Sequence, residues 1–157
     1  MVSRRTITFF LSAACIAYGS TGLANAAETD LSKTAGGVTV YLGVVPAEIV
    51  KGLPAGSSTE RPMHGRIPKG PHENHVVAAV FDAASGARVS DAVVTAEVSG
   101  LGLAGDKKKL EPMQIAGTTT YGAFFDLPGF DIYMVKLTVE PSGAGPAVLQ
   151  FKYDHRQ

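Results

Sequence analysis

The sequence MHGRIPKGPHENHVVAAVFD, residues 63–82, joins a loop rich in histidine, proline and glycine to a strongly apolar run. It holds His64, His72 and His75, which are three of the four histidines in the chain. Residues 75–83 lack the alternation of a half-buried strand, which predicts a central strand covered on both faces. A loop that carries histidines into a buried strand is where we expect a functional site.

Short apolar segments separated by turn residues surround this run. Several of them alternate apolar and polar side chains, and no segment after residue 26 has helical periodicity. The pattern predicts an all-β fold, an immunoglobulin-like Greek-key sandwich of about seven strands. The predicted strands are residues 38–45, 75–83, 91–98, 110–115, 121–127, 132–140 and 147–153.

Three shorter features refine this prediction. Asp131-Ile132-Tyr133 stands at a strand start and is typical of a tyrosine corner, in which the tyrosine hydroxyl bonds to backbone a few residues upstream. Lys107-Lys108-Lys109 closes a glycine-rich segment, residues 99–109, and is interpreted as a solvated turn. His155 falls in a C-terminal tail that is expected to fray.

The N-terminal 26 residues have the composition of a secretory signal. Arg4 and Arg5 precede an apolar run, and Ala24-Asn25-Ala26 is a small-x-small cleavage site. We therefore expect a periplasmic or secreted protein, with a flexible lead-in over residues 27–37 and a single domain over residues 38–155. A lipid anchor through Cys15 is the alternative.

The amino-acid composition argues against several classes of function. Cleavage after Ala26 would discard Cys15, the one cysteine of the chain, and with it any disulfide or thiolate site. Loss of Arg4 and Arg5 would leave a formal charge of −2, and no basic stripe indicates a nucleic-acid partner.

Catalytic motifs are also missing from the sequence. No G-x-S-x-G nucleophile elbow occurs, and GLGLAG at residues 100–105 lacks the Gly-Lys-Ser/Thr ending of a phosphate loop. We therefore predict that the protein is not an enzyme and interpret residues 100–105 as a surface loop.

A metal site is better supported by the residue types. Imidazole suits copper, zinc, nickel and iron, whereas a thioether selects copper, especially Cu(I). A chain without cysteine must build a soft site from methionine and histidine. The candidate ligands are Met63, His64, His72, Glu73, His75 and Met113.

Several short motifs resemble those of two exported groups. The segments that carry the first likeness are 41–42, 46–49, Met63-His64, 82–87, 110–113, 121–122 and 151–153, which are similar to periplasmic iron-transport accessory proteins. Residues 86–94, GARVSDAVV, resemble the Gly-x-x-Val-x-Asp-Ala-x-Val pattern of YtkA-like domains.

The first resemblance implies an immunoglobulin-like protein that works beside a membrane iron permease. It further implies a homodimer that binds copper or another divalent metal at its interface through His, Met and Glu. His64 and Met113 match the family's ligand positions, whereas Thr119 and Thr120 stand where the family has a histidine. His72, Glu73 or His75 would have to take the place of that histidine as a ligand.

Two hypotheses follow from the sequence. The first is an exported metal-binding accessory protein that handles copper or iron for a membrane transporter or a metalloenzyme. The second is an immunoglobulin-like interaction module without a metal site, which would dock a partner through a sheet edge or through residues 51–74.

Overall fold

The computed structural model describes residues 30–47, 70–129 and 131–156. Every element whose bounds lie within these ranges is a β-strand, and all neighbouring strands pair antiparallel in the order β1-β2-β3-β6-β5-β4-β7-β8. The strands are β1 Ser32–Ala35, β2 Val38–Pro46, β3 Glu73–Asp82, β4 Ala92–Gly100, β5 Asp106–Ile115, β6 Thr118–Asp126, β7 Ile132–Pro141 and β8 Ala147–Asp154.

Strand β5 belongs to two layers. Its first part, up to Leu110, pairs with β4, and its second part, from Glu111, pairs with β6. The first layer is therefore β1, β2, β3 and β6 with the second part of β5, and the second layer is β4, β7 and β8 with the first part. The edge strands β1 and β8 also contact each other, so the sheet nearly closes into a barrel. The all-β prediction is confirmed, and the Greek-key assignment stays a prediction.

The core lies between the two layers and is built by alternation. In β7 the buried residues are every second one, Tyr133, Val135, Leu137 and Val139, within a segment that was predicted as a strand. Burying each such side chain stabilises the fold by about 1.5–3 kcal/mol relative to leaving it exposed. The largest fully buried side chains are Tyr121, Phe125, Phe151, Leu110, Leu127 and Leu137.

The predicted tyrosine corner is present at the start of β7. The Tyr133 hydroxyl donates a hydrogen bond of 2.6 Å to the carbonyl oxygen of Pro128, five residues upstream. Burial raises the pKa of Tyr133, and the nearby carboxylates of Asp131 and Asp126 raise it further. The hydroxyl therefore stays protonated and able to donate.

Two local predictions are wrong. Part of the flexible lead-in forms β1, which pairs with β2 from Ser32 opposite Tyr41 to Ala35 opposite Val38. Lys107-Lys108-Lys109 is not a turn but part of β5, because Lys107 lies opposite Glu97 of β4. A strand with one solvated face tolerates lysines at its outward positions.

The outward surfaces of the two layers differ in composition. The first layer presents mainly aromatic and aliphatic residues, and the second presents charged and hydroxyl residues. We call the first surface the apolar outer face, formed by Thr39, Tyr41, Gly43, Val45, His75, Val77, Ala79, Phe81, Glu111, Met113, Ile115, Thr120, Gly122 and Phe124. We call the second the lysine face, formed by Thr95, Glu97, Lys107, Lys109, Lys136, Gln150 and Lys152. Within the three described ranges, no helix is long and apolar enough to cross a bilayer.

Candidate functional site

His75 lies on the apolar outer face and is nonetheless buried. Its Cα lies opposite Val45 of β2 and Phe124 of β6. Only 2% of the residue is exposed, and the imidazole ring packs against the Phe124 ring with centroids 4.8 Å apart. A buried titratable side chain on the outward side of a sheet is uncommon, which makes its surroundings a candidate functional site.

Gly122 opens the space into which this imidazole leans. A Cβ at residue 122 would lie 2.6 Å from Nε2 of His75 and 2.9 Å from its Cε1. The same Cβ would lie 3.0 Å from Sδ of Met113. Any side chain at this position would therefore collide with both groups, whereas glycine lets them approach one point.

Met113 reaches this point from the neighbouring strand. In the β5–β6 pair, Met113 lies opposite Thr120 and Glu111 lies opposite Gly122. Met113 is half-buried and Glu111 is exposed on the same outward side. The register thus places a thioether and a carboxylate-bearing residue on the strand beside Gly122.

The pairing of His75 with Met113 has a defined chemistry. The imidazole nitrogen and the thioether sulfur both pack against the backbone of Gly122 and therefore lie near each other. These two groups are ligand types that one soft metal ion can bind together. Of the metals that imidazole accepts, copper is the one that a thioether also favours.

His72 and Glu73, which were predicted together with His75, are placed differently. His72 is exposed in the turn before β3, and its carbonyl oxygen accepts hydrogen bonds of 2.9 Å from the Leu127 amide and the Asn74 side chain. Glu73 is half-buried and lies opposite Asp126. Among residues 30–47, 70–129 and 131–156, no three His, Cys, Asp or Glu side chains are grouped to hold a metal.

Met63 and His64 lie outside the described residues. The ends of the connection that carries them are placed, because Pro46 lies opposite Asn74 where β2 and β3 meet the connection. This is the end of the sheet at which His75 lies. His64 precedes Gly70 by six residues, a span of at most roughly 20 Å.

Sequence reasoning named His75 and Met113 among six candidate ligands but did not name the residues that bring these two together. Gly122 and Phe124 pack against the imidazole, and Glu111 lies opposite Gly122 in the β5–β6 pair. The signal that could have found them is the pairing of the strand that contains Tyr121-Gly122 with the strand that contains Met113. That pairing becomes visible only once the register is known.

His155 is held rather than frayed, contrary to the sequence-based prediction. Its backbone amide donates to the carbonyl oxygen of Asp131 at 2.9 Å. Its ring lies between those of Tyr153 and Tyr133, with centroids 5.7 and 6.0 Å away. Next to it, hydrogen bonds from Arg156 lower the pKa of Asp154 to about 2.

A shallow cavity of about 320 Å³ lies at the other end of the apolar outer face. Its walls include Tyr41 and Phe81, whose rings meet edge to face at 5.5 Å. Asp82 also lines it, but hydrogen bonds from Ser85 occupy this carboxylate and lower its pKa. No histidine lines this cavity.

The fold defines a class of small, two-layered antiparallel β-proteins, and solved structures of this class are similar to the chain. No family model matches the sequence, and no curated protein is similar to it. A copper-bound variant of FetP from uropathogenic Escherichia coli is 13% identical with a TM-score of 0.57, over 79% of this chain and 93% of FetP.

Two further structures share the fold. Copper-reconstituted P19 from Campylobacter jejuni is 11% identical with a TM-score of 0.57, over 79% of this chain and 92% of P19. A DUF4426 family protein from Pseudomonas aeruginosa is 15% identical with a TM-score of 0.54, over 78% and 94% of the two chains. Similarity at this level of identity establishes a common fold.

Proposed function

We propose that the protein is an exported metal-binding accessory protein whose metal is copper. The observation that carries the proposal is the approach of His75 Nε2 and Met113 Sδ to one point above Gly122. A cysteine-free pair of this kind suits Cu(I) best, because the thioether is a soft ligand and the imidazole serves either copper state. Iron is the second candidate metal, and the carboxylate of Glu111 or Glu73 would favour it.

Two ligands are too few for a stable site, so the connection between β2 and β3 is expected to supply others. Met63 and His64 combine both ligand types and precede Gly70 closely in the chain. His72 and Glu73 lie at the start of β3 and are alternative donors. Bound copper would then be enclosed by the apolar outer face and the connection.

The comparisons agree with this proposal in two respects. FetP and P19 were both solved with copper, and one FetP structure came from protein expressed in the periplasm. We infer the same compartment here from the predicted signal, and a role in delivering metal to a membrane transporter or a metalloenzyme. No catalytic activity is proposed.

The apolar outer face also suggests a homodimer. Tyr41 and Ile115 are 52% and 41% exposed on the outward side of the first layer, where a second copy would cover them. Pairing of two such faces would enclose the site around His75. Sedimentation velocity with and without copper tests this, and a monomer under both conditions would contradict it.

Isothermal titration of the chain from Ala27 to Gln157 tests the copper proposal. Cu(II), Cu(I) under reductant and Fe(II) are titrated into the parent and into the His75→Asn, Met113→Leu and His64→Ala variants. Met134→Leu is the matched control, because Met134 is a half-buried methionine on the outward side of the second layer.

We expect one-to-one binding of Cu(I) that weakens by at least about 100-fold in His75→Asn and Met113→Leu and is unchanged in Met134→Leu. Equal affinity in the parent and in both ligand variants would overturn the proposal. The interaction module without a metal would then be the better account.

A further inference from the structure

The hairpin between β4 and β5 has an apolar tip. Residues 100–105 read Gly-Leu-Gly-Leu-Ala-Gly and contain no charged side chain. Leu101 and Leu103 are 60% and 73% exposed, the two highest exposures among the large hydrophobic residues of the described ranges. Nothing in the described part of the chain covers these two leucines, and exposed apolar groups of this kind are typical of interaction sites.

The tip is a defined turn. The Leu103 amide donates to the Gly100 carbonyl oxygen at 3.2 Å, and Gly102 has a φ of +74°. This combination is typical of a type II turn, which needs glycine at its third position. The turn holds Leu101 and Leu103 on a short projection and forms no groove that could receive a peptide.

Lysines surround the base of this projection on the lysine face. Lys107 is next to the hairpin end and lies opposite Glu97, and Lys136 lies opposite Glu97 on the other side. Ser99, the penultimate residue of β4, lies opposite Met134 of β7. Met134 in turn lies opposite Lys152 of β8, so Lys152 is in the same row as Ser99. The three lysines therefore stand in the two outward-facing rows, those of Ser99 and Glu97, that come next to the tip.

Two carboxylates near the tip have lysine partners. Asp106 forms an ion pair of 2.7 Å with Lys108, and Glu97 lies 3.7 Å from Lys136. Within the described part of the chain, Lys107 and Lys152 have no ion pair. The hairpin end thus combines exposed leucines with two lysines, Lys107 and Lys152, that have no ion pair among the described residues.

We propose that the β4–β5 tip inserts Leu101 and Leu103 into the interface of an anionic lipid bilayer, with Lys107 and Lys152 contacting the headgroups. Apolar groups that enter the interface and lysines that attract anionic lipid strengthen each other. An acidic protein surface would match the lysines but would not require two leucines on a projecting turn. This inference is independent of the metal site.

Vesicle co-sedimentation of the chain from Ala27 to Gln157, which retains all eight strands, tests the proposal. The probes are vesicles of phosphatidylcholine alone and of equimolar phosphatidylcholine and phosphatidylglycerol, with chelator present throughout. The variants are Leu101→Ser/Leu103→Ser and Lys107→Gln/Lys152→Gln. Ile115→Ser at the far end of β5 and Lys33→Gln on β1 are the matched controls.

We expect binding to the anionic vesicles only. The leucine variant should lower the partition coefficient at least about tenfold, and each lysine replaced should lower it about fivefold. Both controls should bind like the parent. Failure of the parent to bind anionic vesicles, or equal binding by the leucine variant, would overturn the proposal.

A fluorescence measurement keeps the test decisive if a variant is unstable. The chain contains no tryptophan, so Leu103→Trp introduces a single probe at an exposed position. Its emission should shift to the blue and be quenched by brominated lipid in anionic vesicles, whereas Ile115→Trp should show neither effect. Unshifted emission from Trp at residue 103 would contradict insertion.

Discussion

The apolar outer face and the lysine face cover opposite sides of one core, yet their outward-pointing residues are buried to different extents. On the lysine face, the outward residues alternate with core residues and are solvated, as in an ordinary two-layer sheet. On the apolar outer face, His75, Thr120 and Phe124 are buried although they point away from the core. Burial on the wrong side of a sheet is costly for polar groups, and it occurs where the candidate metal site lies.

This difference predicts unequal stability effects on the two faces. Phe124→Ala should lower the free energy of unfolding by about 3 kcal/mol, because a ring that is 3% exposed leaves a cavity beside His75. Val148→Ala, on the outward side of β8 and 53% exposed, should cost less than about 0.5 kcal/mol. Urea unfolding measures both, and equal losses would mean that the two faces are not distinct.

Two glycines allow a sharper test within the apolar outer face. Gly122→Ala should weaken Cu(I) binding by about 100-fold, because the added Cβ displaces both His75 and Met113. In Gly43→Ala, the added Cβ would instead meet Cγ2 of Val77 at 2.7 Å. Competition against a chromophoric Cu(I) chelator compares them, and similar losses in both would show that general distortion is the cause.

Ion pairs on the lysine face should contribute little. Lys136 and Glu97 are half exposed and 3.7 Å apart, so Glu97→Gln should change the free energy of unfolding by less than about 0.5 kcal/mol. The effect should also disappear at high salt, since exposed charges are screened. A loss above about 1 kcal/mol would indicate a structural role for this face.

The smallest effect is expected from Asp154 at the end of β8. Its pKa in the folded chain is about 2, below the ordinary value of 3.8, so its deprotonated form stabilises the fold. That contribution is present above pH 3.8 and is lost as the pH falls through about 2. Asp154→Asn and Arg156→Gln should both make the melting temperature less dependent on pH between about 2 and 3.8. Unchanged pH dependence in both would contradict the pairing.

The sequence predicted the strands in which every second residue is apolar and enters the core. It missed the segments in which polar residues hide that alternation. β7 was predicted almost to the residue, because every second side chain enters the core. The start of β5 was interpreted as a turn because its outward lysines hide the pattern. β1 was missed because it has four residues and no buried side chain.

The candidate site, too, could be predicted only in part. His75 and Met113 could be predicted because their ligand chemistry is a property of residue type. The proximity of these two side chains could not be predicted, because it depends on the register of β3, β5 and β6. It also depends on the absence of a side chain at Gly122. Residues separated by 38 positions become neighbours only through that pairing.

X-ray absorption of the Cu(I)-loaded protein tests the central claim most directly, because it identifies the atoms bound to the metal. We predict sulfur and nitrogen in the first coordination shell of the parent, loss of the sulfur in Met113→Leu and its retention in Met134→Leu. A copper shell without sulfur in the parent, or sulfur that persists in Met113→Leu, would contradict the assignment of His75 and Met113 as a shared metal site.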